Sequence, residues 1–393
     1  MPAEVIDKWL ESGRYAQVNG ARLRPIEHNI FKGTPLSIQR GQAEAFCLNC
    51  DNGENYILKK FHKGKRLDYN YLVSAGSLLP KDAGFIAGTE RRILSPKTLI
   101  MTPGCYYRQD LAAWLDETIL MLRVAGIDWA TLADEIRQGR LQLHREHRIE
   151  LARNLTSLIR ALEKHNCCHR DISSGNVFIE TKSWNIYLID FDSLYHPSLS
   201  MPEATTCGTI GYTPSFAWKS NTLNVRRTWC PYADRYALTI INVEFLALNK
   251  GAPLTAEGGM FEQHELRARS GKGIYMIKKL LQKEWQEVVS LFEATINSKN
   301  FASCPSPEDW QEVLEAIPGA PVRPPRLEQL ENIPQDYFKN VLSKLRPAAP
   351  LWPAPNLSSM PTIDFQIPQT NSEYVSLPPD PWNNEKNSME RFE

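Results

Sequence analysis

The chain has no net charge, because Lys+Arg and Asp+Glu both number 45 among its 393 residues. That balance argues against nucleic acid or an anionic membrane surface as the main partner. It also has no long apolar run. The most apolar stretch, "YALTIINVEFLAL" (236–248), contains Asn242 and Glu244 and is too short to span a bilayer. The opening "MPAEVIDKWLESGRYAQ" is polar and has none of the apolar core of a signal peptide. The eight cysteines, at 47, 50, 105, 167, 168, 207, 230 and 304, make no regular framework, and no internal repeat is visible. Cys47 and Cys50 form a lone CxxC with no second pair at a zinc-site spacing, so they read as strand residues beside the "DNGEN" turn. The expectation is a soluble, cytoplasmic protein with reduced thiols.

The length leaves room for a two-part enzyme of about 250–300 residues with extensions. Residues 1–27 read as an N-terminal extension with a short amphipathic helix on Val5, Ile6, Trp9 and Leu10. "AEAFCL" and "YILKKF", separated by the turn signal "DNGEN", predict a β-hairpin over 43–61. "KTLIMTPG" (97–104) predicts a buried strand. The stretch "QDLAAWLDETILMLRVAGI" predicts a helix with Leu111, Trp114, Leu115, Ile119 and Leu122 on one face. A long helix is expected over 145–166, two short strands at 176–179 and 186–190, and mostly helix after 232. Strands early and helices late give an α+β protein with segregated parts. Roughly half of the 27 prolines fall after residue 317, which predicts an extended, largely disordered tail over 319–393, with a short helix at 335–345. Such a tail is a candidate adaptor-binding segment, though a solvated tether is the plainer reading.

One constellation carries chemistry. His169-Arg170-Asp171 is followed by Asn176, and Asp190-Phe191 comes fourteen residues later, with Asp190 at the end of an apolar strand. This resembles the eukaryotic-like protein kinase family over roughly residues 33–317. The resemblance implies a two-lobed fold with a small β-rich lobe at about 28–102 and a larger helical lobe at about 103–318. It implies ATP with Mg²⁺ or Mn²⁺ as cofactors and protein substrates. Asp171 would accept the substrate hydroxyl proton, worth roughly 10²–10⁴-fold. Asn176 and Asp190 would hold the metal as hard oxygen ligands.

Other positions follow from the same resemblance. Lys59 matches the lysine that holds the α- and β-phosphates. Strand alternation sends Lys59 to one face and Lys60 to the other. "QRGQAEAF" (39–46) looks like a depleted glycine-rich loop, with Gly41 kept and Ala43 in place of a glycine. Met101 and Pro103 are taken as nucleotide contacts at the junction between lobes. The acidic partner of Lys59 belongs on the next helix. Yet 62–89 holds no glutamate, and Asp68 is the choice over Asp82. "CGTIGYTPSF" (207–216) resembles the end of an activation segment, with Gly208, Thr209 and Tyr212 matching. Arg170 is expected to pair with a phosphate at Thr205 or Thr206. Asp234 resembles the aspartate that opens the central helix and holds the catalytic-loop backbone.

Several departures stand out. Ser173 replaces a lysine that contacts the γ-phosphate; one preorganised donor is worth about 2.7–4 kcal/mol, or 10²–10³ in rate. Arg40 is a candidate substitute. Asp192 stands where the family has a glycine, a feature similar to a bacterial subset with Asp-Phe-Asp. Phe216 and Cys304 occupy the two halves of a family ion pair. Losing only one half would cost roughly 3–5 kcal/mol, whereas losing both together is nearly neutral. An active Ser/Thr kinase is the first reading. A pseudokinase scaffold and a small-molecule phosphotransferase remain the alternatives.

Overall fold

The computed structural model describes residues 2–40, 43–62, 64, 68–202, 208–219, 222–248 and 259–317. Gly41, Thr205, Thr206 and the tail 319–393 therefore lie outside the described residues. The fold is α+β: a curled antiparallel sheet followed by a helical part. None of the helices among the described residues is long and apolar enough to cross a membrane.

The sheet contains β1 (Ala16–Val18), β2 (Ala21–Pro25), β3 (Ser37–Arg40), β4 (Ala43–Cys50), β5 (Asn55–Phe61), β6 (Arg92–Ile93), β7 (Leu99–Ile100) and β8 (Ile119–Leu122). Their order is β6-β8-β5-β4-β2-β1-β7, with β3 also paired to β4. The 43–61 hairpin forms as the alternation and the turn predict, with Ala45 opposite Lys59. Helix α1 (Pro2–Glu11) buries Ile6 and Trp9 in a cluster with Leu23, Phe46, Leu48 and Leu58. The boundary expected at residue 28 thus falls inside the sheet: β1 and β2 are two of its strands, and 2–27 do not stand apart.

Three short helices decorate this sheet: α2 (Tyr69–Leu78), α3 (Ile86–Thr89) and α4 (Gln109–Leu115). Helix α4 stops earlier than its apolar spacing predicts, because Asp116 leaves helical backbone geometry and Glu117 takes a positive φ of 58°. The "ILML" run then becomes β8, which pairs with β5 through Leu58 and Leu120. A four-residue apolar run has no period of its own, and neighbouring strands settle its conformation. The sheet therefore continues beyond the boundary of 102, to Leu122.

At Gly126 the chain crosses into a second, three-stranded sheet of β9 (Ile127–Asp128), β10 (Val177–Glu180) and β11 (Asn185–Leu188). Gly126 has φ of +91°, and a Cβ there would lie 2.1 Å from the Ile179 carbonyl oxygen, so only glycine fits this crossing. Helices α5 (Trp129–Arg137) and α6 (Arg145–Lys164) follow β9. After the second sheet come α7 (Val225–Thr228), α8 (Asp234–Ala247), α9 (Gln263–Ala268), α10 (Lys272–Gln282), α11 (Gln286–Asn297) and α12 (Pro307–Ala316). Every residue of α8 from Tyr236 to Ala247 is buried, which makes it the axis of the helical part. Asn242 donates to Thr156 at 3.0 Å while its buried Oδ1 accepts no hydrogen bond among the described residues, and Thr239 accepts from the Trp310 indole at 3.0 Å. A Ser306–Asp309 capping box starts α12.

Candidate active site

The site is built on the β10–β11 hairpin. Its register pairs Val177 with Leu188, so Asn176 stands opposite Ile189, and the Ile189 N–H donates to the Asn176 carbonyl at 3.1 Å. Asp190 is the next residue, in a left-handed conformation with φ 68° and ψ 56° that turns the chain sharply out of the strand. Two motifs fourteen residues apart are thus brought side by side by one tight hairpin.

The ring of Phe191 fixes this turn from below. It packs tilted by 59° against His169, with centroids 4.8 Å apart, and lies edge-on to Phe85 at 6.2 Å. Gly88 makes room for it, since a Cβ there would come 2.6 Å from the Phe191 ring. The Asp234 carboxylate holds the other flank, accepting from His169 N at 2.6 Å and Arg170 N at 2.7 Å.

Lys59 reaches down from β5. Its Nζ donates to Asp190 Oδ1 at 2.7 Å and to Asp192 Oδ2 at 2.5 Å. Burial alone would pull the lysine down, but the charges of Asp190 and Asp192 outweigh it and hold Lys59 well above its usual range. Burial likewise opposes the charge on Asp190, and Lys59 overrides it, holding that carboxyl well below the usual range. Burial raises Asp192, with Lys59 pulling the other way. Lys60 points to the opposite face, where its Nζ donates to the carbonyls of Trp114 at 2.8 Å and Asp116 at 2.5 Å.

Asp171 is half-buried beside this cluster. Thr209 Oγ1 donates to its Oδ1 at 2.9 Å, and Asn176 Nδ2 donates to its Oδ2 at 3.2 Å and to its carbonyl at 2.8 Å. Burial first, and the Asp190 charge second, push its carboxyl up to about 6. No protein-family model matches the chain, and no curated protein matches its sequence.

That geometry brings together Lys59, Asp171, Asn176, Asp190 and Thr209, with Asp234 beneath them. Ala43 begins β4 opposite Phe61, at the Lys59 end of the hairpin. Met101 and Pro103 are not brought in. They follow β7, which pairs with β1 at the far edge of the sheet, and Met101 is 72% exposed. The strand beside β5 is β8, and the residues that cross between the sheets are those from Arg123 to Gly126.

Asp68 does not meet Lys59 either. It caps α2, accepting from Tyr71 N at 2.9 Å, because a short acidic side chain before a helix is drawn to the free N–H groups of the first turn. Arg170 is not open to a phosphate. It is buried, donates to Thr228 O, Ser193 O and Thr228 Oγ1 at 2.9–3.0 Å, and lies 4.6 Å over the Trp229 ring. Phe216 packs edge-on against Phe301 at 5.0 Å. Cys304 is buried, and burial pushes its thiol up to about 11. Ser173 is also buried, its carbonyl accepting from Asn176 N at 3.0 Å.

The donor set fits a hard divalent cation. Asn176 Oδ1 is buried and accepts no hydrogen bond among the described residues, although its Nδ2 is doubly engaged. A buried acceptor left without a donor asks for an ion or water. Asn176 and Asp190 together offer the sparse protein ligation that Mg²⁺ accepts when phosphates and water complete its shell. Among the described residues no group of three or more His, Cys, Asp and Glu side chains forms a metal cage. Sequence reasoning missed Arg91, whose Nη1 donates to Asp192 Oδ1 at 3.2 Å, and the pairing of Asp192 with Lys59.

Proposed function

We propose that this protein transfers the γ-phosphate of ATP to serine or threonine hydroxyls of proteins, and that its sheet and helical part are the small and large lobes of a kinase-like fold. The observation that carries the reading is the convergence on one hairpin end of a sheet lysine, two carboxylates and an asparagine with an unpartnered oxygen. These are the groups phosphoryl transfer needs, since its catalysis is mostly positioning and charge neutralisation.

Bound Mg²⁺ would neutralise charge on the phosphate oxygens. Asn176 Oδ1 and the Asp190 carboxylate would hold it, and Lys59 would bind the α- and β-phosphates. Asp171 then orients the incoming hydroxyl and takes its proton as the new phosphate ester bond forms and the β–γ bridge breaks to leave ADP. A base raised to about 6 is better matched to this than an ordinary aspartate. The Thr209 hydrogen bond to Asp171 supports a protein substrate, because it ties the base to the segment leading into Tyr212 and α8. Incubation with labelled ATP and Mg²⁺ tests this. The wild type should label itself or a generic Ser/Thr substrate, and Asp171→Asn should lose roughly 10²–10⁴-fold. A wild type that neither transfers phosphate nor gains thermal stability with nucleotide would overturn it.

A further inference from the structure

The helix after β5 offers no acid to Lys59. Residues 69–78 contain neither Asp nor Glu, and the two acids nearby are used as caps, Asp68 on Tyr71 N and Asp82 on Gly84 N at 2.8 Å. Asp192 is spread between two cations instead. Its Oδ2 takes Lys59 and its Oδ1 takes Arg91. Arg91 is a rigid anchor: its side chain is 5% exposed, and its other arm donates to the Leu72 carbonyl at 2.6 Å. It sits just before β6, whose pairing with β8 fixes its backbone to the sheet.

We propose that Asp192 is the residue that positions Lys59 for the nucleotide, with Arg91 as the anchor that positions Asp192. The pair replaces an acid from α2 with one that follows the metal-binding aspartate by two residues. Lys59 is then aligned by the turn at Asp190, and α2 contributes the Leu72 carbonyl that holds Arg91 in place of an acid of its own. With both oxygens held by cations, Asp192 is a structural counter-charge rather than a metal ligand. This rests on the phosphoryl-transfer reading above.

Kinetics of Asp192→Asn, Asp192→Glu and Arg91→Lys, beside wild type and Asp68→Ala, provide the test. Asp192→Asn should raise the KM for ATP about tenfold, with a smaller effect on kcat, the loss expected for one positioning contact. Asp192→Glu should recover most of it, and Asp68→Ala should leave both constants unchanged. In parallel, acetylation of Lys59 by a soluble active ester, read by mass spectrometry, should run several-fold faster in Asp192→Asn than in wild type or Asp192→Glu. Arg91→Lys should shift KM and acetylation in the same direction as Asp192→Asn even if the latter folds poorly. Unchanged KM and acetylation in Asp192→Asn would overturn the proposal, as would a change only in the Mg²⁺ concentration required. A wild type that binds no nucleotide removes the kinase reading, and the acetylation comparison still decides whether Asp192 holds Lys59.

Discussion

The carboxylate of Asp234 lies 2.6 Å from the backbone N–H of His169, across 65 residues of sequence, and 2.7 Å from that of Arg170. It is buried, so these charge-assisted bonds are not traded against water. They hold a strained segment, since Arg170 has a positive φ of 69°. Asp234→Asn presents an amide donor to one of the two N–H groups. It should cost about 1.5–3 kcal/mol of stability and lower kcat as the loop bearing Asp171 relaxes. Thermal melts together with phosphoryl-transfer rates check this; a normal rate in a destabilised variant would confine Asp234 to a folding role.

Lys59 and Lys60 make a sharper comparison, because adjacent residues of one strand serve opposite faces. Lys59→Ala removes the only sheet cation that reaches Asp190 among the described residues and should abolish measurable transfer. Lys60 instead donates to carbonyls at the C-terminal end of α4. Its loss should cost about 0.5–1 kcal/mol, the scale of a cation at a helix C-terminus, and leave kcat and KM alone. Equal loss of activity in the two variants would show that the assignment of faces is wrong.

Much of this site was legible in the sequence, and the failures share a cause. Asp171, Asn176, Asp190 and Lys59 were singled out on a resemblance, and the structure brings them together through local features: a hairpin with a tight turn and a strand that sends Lys59 and Lys60 to opposite faces. Met101, Pro103 and Asp68 were misassigned because each depended on which strand or helix lies next to β5. That is a tertiary matter. Residues 119–122 are short and apolar and show no period, so nothing local distinguishes a last helical turn from the strand they form. Arg91 gave no signal at all. It lies in "ERRIL" between elements, and only the fold turns its side chain toward Asp192. Arg170 was expected to meet a phosphate, but the backbone carbonyls that occupy it come from 23 and 58 residues away.

Phe216 tests whether the paired loss of charges is a consistent variant. Its ring meets Phe301 edge-on where the described residues provide an apolar, sulfur-bearing neighbourhood around Phe301 and Cys304. Phe216→Ala should cost about 1–3 kcal/mol, less than a fully buried phenylalanine because the ring is only partly covered. Phe216→Glu loses the same ring contact, but it places a carboxylate beside the Arg227 guanidinium, which already donates to the Phe216 carbonyl, so it should cost no more than Phe216→Ala. Denaturant unfolding would measure both. A glutamate variant clearly less stable than Phe216→Ala would show that Arg227 does not pair with the introduced carboxylate.

Glu244 makes stability depend on pH in a direction opposite to that of a salt-bridged acid. It lies inside α8 and accepts from the Trp129 indole at 2.9 Å, the Tyr212 hydroxyl at 3.1 Å and Met260 N at 2.8 Å. Burial pushes its carboxyl up from 4.5 to about 7 despite these donors. Between those values the folded chain binds a proton that the unfolded chain does not. The contribution of Glu244 is therefore fully favourable below about pH 4.5, is lost as pH rises through 7, and is constant above that. The full span is on the order of 3 kcal/mol. Glu244→Gln keeps an acceptor for Met260 N and carries no charge, so its melting temperature should fall less than that of the wild type between pH 5.5 and 8. The difference between the two slopes isolates Glu244 from every other titrating group. Parallel slopes would mean that the carboxyl is ionised throughout, with its charge carried by the Trp129, Tyr212 and Met260 donors.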